Sequence, residues 1–117
     1  MTFGDALRGV RECPGVSLTA IADRDGIPVE SFGRSLGEAE EFIAEYSSFM
    51  REVASANREL QLGELDQIVV SAERKVVMIT SISSDYFLMA VVDRDGNAGK
   101  ARFACRLAAF RLHSEFV

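Results

Sequence analysis

The chemistry-bearing residues concentrate in two identical tetrapeptides, Asp23-Arg24-Asp25-Gly26 and Asp93-Arg94-Asp95-Gly96. Alternate aspartates ahead of a glycine are how a calcium loop begins, but such a loop also needs a glutamate six residues after the glycine. Those positions hold Phe32 and Arg102, so calcium chemistry fails at both. A phosphate-cradling loop ending at Gly99-Lys100 would need glycine at Arg94 and a hydroxyl at Ala101, and has neither. The remaining reading is turn chemistry. Asp-Gly supplies positive φ at little cost, once within a hairpin and once between a strand and a helix N-terminus.

Other reactive side chains are scattered. His113 is the only histidine and stands near a helix end, where a capping or solvated role fits better than general-base catalysis. Cys13 and Cys105 form no CxxC pair, so neither a zinc site nor a disulfide framework is indicated, and Cys105 reads as a buried inert thiol. Ser47-Ser48 and Ser83-Ser84-Asp85 resemble no nucleophile elbow. The residues therefore predict no enzyme, no cofactor and no metal site.

The elements around these residues alternate. Ala6, Leu7 and Val10 predict a short helix, ended by Pro14-Gly15. Val16 to Asp23 reads as a strand and Ile27 to Phe32 as its hairpin partner, placed at a sheet edge because Pro28 cannot donate to a ladder. A loop at Gly33 to Gly37 precedes a helix from Glu38 to about Leu60. Three strands follow in an antiparallel meander, Leu65 to Ser71, Lys75 to Ile82 and Tyr86 to Val92, and Asn97 to about His113 is helical again.

Both long helices carry more apolar surface than one contact uses. On the middle helix Phe42, Tyr46, Phe49, Val53 and Leu60 form one stripe, with Ala39, Ile43, Met50 and Ala54 beside it. Together they cover an arc of roughly 160°, against the ~100° that one buried face requires. The last helix has a small-residue stripe, Ala98, Ala101, Ala104, Cys105, Ala108 and Leu112, suited to a flat surface. Phe103, Leu107 and Phe110 lie opposite and need cover from the first helix or from a partner.

Charge divides the chain. The net charge of −5 gives no nucleic-acid footprint overall. Residues 38 to 60 hold six glutamates and two arginines, whereas residues 97 to 117 hold four basic residues and one glutamate. Glu41, Glu45, Glu52 and Glu59 cluster on one side of the middle helix, as a solvated face or as an acidic strip steering a basic partner. The longest apolar runs have seven residues, which excludes membrane insertion by a helix. With no basic-then-apolar leader and unpaired cysteines, a cytoplasmic setting is expected.

Two long stretches carry a family likeness: "PGVSLTAIADRDGIPVESFG" (Pro14 to Gly33) and "YFLMAVVDRDGNAGKARFACRLAAFRL" (Tyr86 to Leu112). The first resembles the strand–"D.DG.P"–strand hairpin of the roadblock / dynein light chain domain. The second resembles that family's strand, loop and "N.G.AR" start of the last helix, here Asn97, Gly99, Ala101 and Arg102. The likeness covers essentially the whole chain, 1–117, as a single domain. Prokaryotic members include MglB-like regulators of Ras-like GTPases.

The resemblance implies an α+β, profilin-like fold in the order α-β-β-α-β-β-β-α: a five-stranded antiparallel sheet, the long helix on one face and the terminal helices on the other. It also implies a non-catalytic homodimer that pairs its third strands and long helices across a two-fold axis. The wide apolar arc and an open third-strand edge are independent reasons to expect the same contact. The expected interface residues are Phe42, Tyr46, Phe49, Met50, Val53, Ile68 and Val70, with Glu41, Glu45 and Glu52 docking a partner. Some members bind a small GTPase and accelerate its hydrolysis by ordering its own catalytic groups. No position here matches an inserted arginine finger, so any stimulation would be indirect. A purely structural subunit, or a small-molecule sensor with a pocket between sheet and helix, are the alternative expectations.

Overall fold

The structure, a computed structural model, describes residues 3–33 and 36–116. Its elements are α1 (Phe3–Arg11), β1 (Val16–Asp23), β2 (Pro28–Gly33), α2 (Leu36–Glu59), β3 (Gln67–Ser71), β4 (Lys75–Ser81), β5 (Tyr86–Asp93) and α3 (Ala98–Leu112), then a 3-10 turn, His113–Glu115. Arg34 and Ser35 of the expected loop lie outside the described residues.

The strands form one five-stranded antiparallel sheet, as the resemblance implies, and their order is β2-β1-β5-β4-β3. Side chains alternate across it with period two. Leu18, Ala20, Val77, Ile79, Phe87, Met89 and Val91 face α2, where Ala39, Ile43 and Met50 close the core. Ile21, Met78, Leu88, Ala90 and Val92 face the other way, under α1 and α3. The small stripe of α3 does what small residues allow: Ala101, Cys105, Ala108 and Leu112 are buried close against the sheet. Phe116 is held by stacking on Phe3 at a centroid distance of 5.2 Å and by a tilted contact with Tyr86 at 4.6 Å.

Both Asp-Arg-Asp-Gly segments are turns, but they use glycine for different reasons. Asp23 Oδ1 accepts from the backbone N–H groups of Asp25 (2.9 Å) and Ile27 (3.0 Å), and Gly26 takes φ +88°. The connection is four residues, 24–27, rather than a two-residue Asp-Gly turn, because the Asp23 carboxylate organises it and β2 carries an extra residue, Val29, opposite Ile21/Ala22. A Cβ on Gly26 would come within 2.9 Å of Ser47 Oγ, so the turn is pressed onto α2.

At Gly96 the expected positive φ is not found. There the glycine is required by close approach: a Cβ would lie 2.4 Å from the Pro14 carbonyl oxygen and 2.7 Å from Gly15 Cα. The two backbones are stitched by Asn97 N–H to the Pro14 carbonyl (2.9 Å) and Asp93 N–H to that of Gly15 (2.8 Å). Asn97 then caps α3, its side chain accepting from Lys100 N–H at 3.0 Å.

α2 ends at Glu59, so Leu60, placed by periodicity on the helix stripe, lies beyond it and is exposed. The ending is a Schellman pattern without glycine: Leu62 N–H reaches the Asn57 carbonyl, Gln61 N–H that of Arg58, and Gln61 adopts φ +58°. β3 starts at Gln67, two residues later than the apolar pattern suggests.

Candidate interaction surface

The arc of α2 divides into two working halves. Ala39, Ile43 and Met50, with Ser47, are spent on the sheet. Phe42, Tyr46 and Val53 are only half-buried, and Phe49 is 41% exposed. Their rings form a continuous band: Phe42 stacks on Tyr46 at 6.5 Å, and Tyr46 meets Phe49 edge-on at 6.4 Å. A band of this kind on one helix is an unfinished packing surface, because aromatic area left in water forgoes the largest available hydrophobic gain.

β3 extends the band. Ile68 and Val70 point to the α2 side of the sheet, half-buried and packed against the same core cluster as Phe42 and Tyr46. β3 is the last strand in the order, bonded only to β4. The opposite edge, β2, is protected by Pro28 and by its own bulge at Val29. The β3 segment, Gln67–Ser71, has no proline and no charge, so nothing blocks it from pairing with another strand.

Six of the seven residues expected at an interface therefore fall in one region: Phe42, Tyr46, Phe49 and Val53 from α2, Ile68 and Val70 from β3. Met50 is the exception. At 7% exposure it belongs to its own chain's core, because its position on the helix turns it toward the sheet. Glu41, Glu45, Glu52 and Glu59 are all exposed along one line of α2. Glu41 and Glu45, with Glu38, rim a shallow hollow of about 320 Å³ floored by Phe42 and Tyr46. Acidic groups thus border aromatic ones directly, the pairing that combines steering with burial.

Sequence reasoning missed the exposed Leu62, beyond α2, and Ile27 and Val29 near the β2 edge. Isolated apolar residues in turns and edges carry no periodic signal. His113 Nδ1 donates to the Ile82 carbonyl at 2.7 Å, a structural tie across to β4–β5. Both cysteines are free and buried. Burial, reinforced by the neighbouring Cys13, pushes the Cys105 thiol up to about 12, against a Thr80 hydrogen bond that lowers it. Among the described residues no three potential ligands gather to hold a metal ion, and no helix is long and apolar enough to cross a membrane.

The family model of the Roadblock/LC7 domain matches residues 2–93. The chain belongs to the Roadblock/LC7 family. That family is one of regulatory and scaffolding domains, generally non-catalytic. Solved structures agree on the fold. The gliding protein MglB of Thermus thermophilus superposes with TM-score 0.85 at 14% identity, over 96% of this chain and 86% of that one. MglC of Myxococcus xanthus is 27% identical, with TM-score 0.72 over 99% and 100% of the two chains. Profilin II of Acanthamoeba castellanii shares the architecture more distantly, at TM-score 0.53 and 18% identity over 88% and 89%. No curated protein matches the sequence. This Roadblock/LC7 domain thus combines an established scaffold with a surplus aromatic-acidic face on α2 and β3.

Proposed function

We propose that the chain is a homodimeric regulatory scaffold that binds a small Ras-like GTPase and modulates its nucleotide cycle. The observation that carries this reading is the unfinished surface itself: an aromatic band on α2 running into the open, uncharged edge of β3. A two-fold contact covers both at once, because β3 can pair with its copy while the α2 bands meet across the axis. The acidic line of Glu41, Glu45 and Glu52 then borders a composite platform and steers the GTPase onto it. The setting is cytoplasmic, in keeping with two free, buried thiols.

The scaffold acts without donating a catalytic group. Arg51, in the middle of α2, is tied to the Arg24 carbonyl of the hairpin turn and does not reach outward. Any rate effect comes from holding the GTPase's own switch segments in place.

The test is a pull-down with candidate Ras-like GTPases loaded with GDP or a GTP analogue, followed by single-turnover hydrolysis. Nucleotide-dependent binding that Glu41→Lys with Glu45→Lys weakens is the expected result. Binding with an unchanged hydrolysis and exchange rate would make the chain a purely structural subunit. Absence of binding to any Ras-like GTPase would remove the proposal.

A further inference from the structure

The sheet's other face carries a second unfinished surface. α3 lies over β4 and β5 and meets β3 only at its start, where Gln67 Nε2 donates to the Arg102 carbonyl at 3.3 Å; Val69, farther along the strand, is exposed. The step between α3 and β3 is a groove. A hollow of about 640 Å³ lies between Asp66, Thr80 and Ser81 on the strand side and Phe103, Arg106 and Phe110 on the helix side, with His113 at the end of α3. A second, of about 210 Å³, continues it past Gln67, Gly99 and Arg102, sharing Phe103 and Arg106. From Gly99 to His113 the groove follows α3 for about 20 Å at 1.5 Å per residue.

Of the two covers considered for the aromatic side of α3, the first helix or a partner, α1 does not supply one. α1 packs beside α3 and against β1, as a helix lying flat on the sheet must, and cannot reach the outer surface of its neighbour. Phe103 and Phe110 are left 70% and 81% exposed. With Leu107 they stand at i, i+4 and i+7, the spacing of a helix-packing seam with no helix on it.

Charge is equally one-sided. α3 carries Lys100, Arg102, Arg106 and Arg111 and no acidic residue. Lys100 in the first turn and Arg102 just after it lie where the helix dipole disfavours cations, so their placement opposes the helix's own stability. Among the described residues Asp66 is the one carboxylate lining either hollow, and it is paired with Arg106 at 3.2 Å.

We propose that this groove docks an acidic amphipathic helix of a partner protein. Its apolar stripe seats on Phe103, Leu107 and Phe110, and its carboxylates meet Arg102 and Arg106. A helix about 10 Å across matches the scale of a step between a helix and a neighbouring strand. A bilayer surface fits it less well, since a hollow walled by Thr80 and Ser81 lies below the ridge that a flat membrane would meet. The site is built by one chain alone and uses neither the α2 band nor the β3 edge pairing, so it stands or falls separately from the GTPase reading.

The test uses the full chain and two fluorescein-labelled peptides of about 16 residues, long enough to span the groove. Both carry leucine at i, i+3, i+7 and i+10; one has glutamate and alanine elsewhere, its twin lysine and alanine. The acidic peptide is expected to bind with micromolar affinity that falls as salt rises, and about tenfold more tightly than the basic twin. Phe103→Ser with Phe110→Ser, and separately Arg102→Glu with Arg106→Glu, should each weaken it by about tenfold or more. The substituted side chains are exposed, so all variants should stay folded at the parent's solution mass, with thermal melts moved by only a few degrees as Arg106→Glu gives up the Asp66 pair and Arg102→Glu relieves the helix dipole. No binding, equal binding of the two peptides, or binding unmoved by these substitutions would overturn the proposal. So would capture by vesicles containing phosphatidylserine without binding of the acidic peptide.

Discussion

Replacing Gly96 by alanine tests the claim that the second Asp-Arg-Asp-Gly turn is a backbone-to-backbone clamp. The new methyl group would stand 2.4 Å from the Pro14 carbonyl oxygen and 2.7 Å from Gly15 Cα, and neither atom belongs to a flexible side chain. The α1–β1 turn must therefore move away from the β5–α3 turn. Overpacking of this sort costs about 1–3 kcal/mol. The displacement also loosens the Asn97–Pro14 and Asp93–Gly15 hydrogen bonds, at about 1 kcal/mol each. We expect a loss of about 2–4 kcal/mol in urea unfolding followed by circular dichroism. At about 4 °C per kcal/mol for a domain of this size, Tm should fall by roughly 8–15 °C. Gly9→Ala is the matched control, since a methyl group there would meet nothing within 4 Å and the position sits inside α1. It should stabilise by about 0.5–1 kcal/mol. A Gly96→Ala protein within about 0.5 kcal/mol of the parent would refute the clamp, since that is the range of a surface substitution.

Two further outcomes follow from burial. Cys105 has its thiol raised to about 12, so the native protein should resist thiol-specific reagents near neutral pH and react only on unfolding. Because the folded value lies above the ordinary 9.0, the neutral thiol's contribution is intact below pH 9.0 and is lost as pH rises toward about 12. At pH about 10.5 the loss amounts to roughly 2 kcal/mol, and Cys105→Ala should lack that component of the alkaline destabilisation. Rapid labelling of Cys105 in the folded state would contradict this. Met50→Ala should cost about 2–5 kcal/mol in urea unfolding, whereas Phe49→Ser should leave the stability of a single copy within about 1 kcal/mol. Equal costs would mean that α2 is rotated from the orientation described.

Legibility from sequence followed the strength of each physical signal. β1, β4 and β5 were readable nearly to the residue because apolar runs bounded by Asp, Ser and Gly leave little choice of register. The stop of α2 was readable only approximately, since its αL residue is Gln61 where glycine would have advertised it. The late start of β3 was hidden because Leu65 is apolar yet packs from the irregular connection before the strand. The glycine of the second turn was identified for the wrong reason: sequence displays a glycine but not the neighbouring backbone that demands it. For α2, periodicity gave the width of the apolar arc but not which half the sheet takes. That depends on how the helix is rotated over the strands, and it is why Met50 and Phe49, one residue apart, have opposite fates. Helix α3 repeats the lesson: its aromatic side was visible, but that α1 leaves it bare depends on where two helices lie on one sheet.

The central claim is that the α2 band and the β3 edge are covered by a second copy. Its most direct test is solution mass by light scattering, on the parent and on Phe49→Glu with Val53→Glu. A parent near twice 12.8 kDa, and a folded variant at the single-chain mass, is the result we expect. A parent that remains a folded monomer across the micromolar range would contradict it. So would a variant that keeps the parent's mass with two carboxylates placed in the supposed contact.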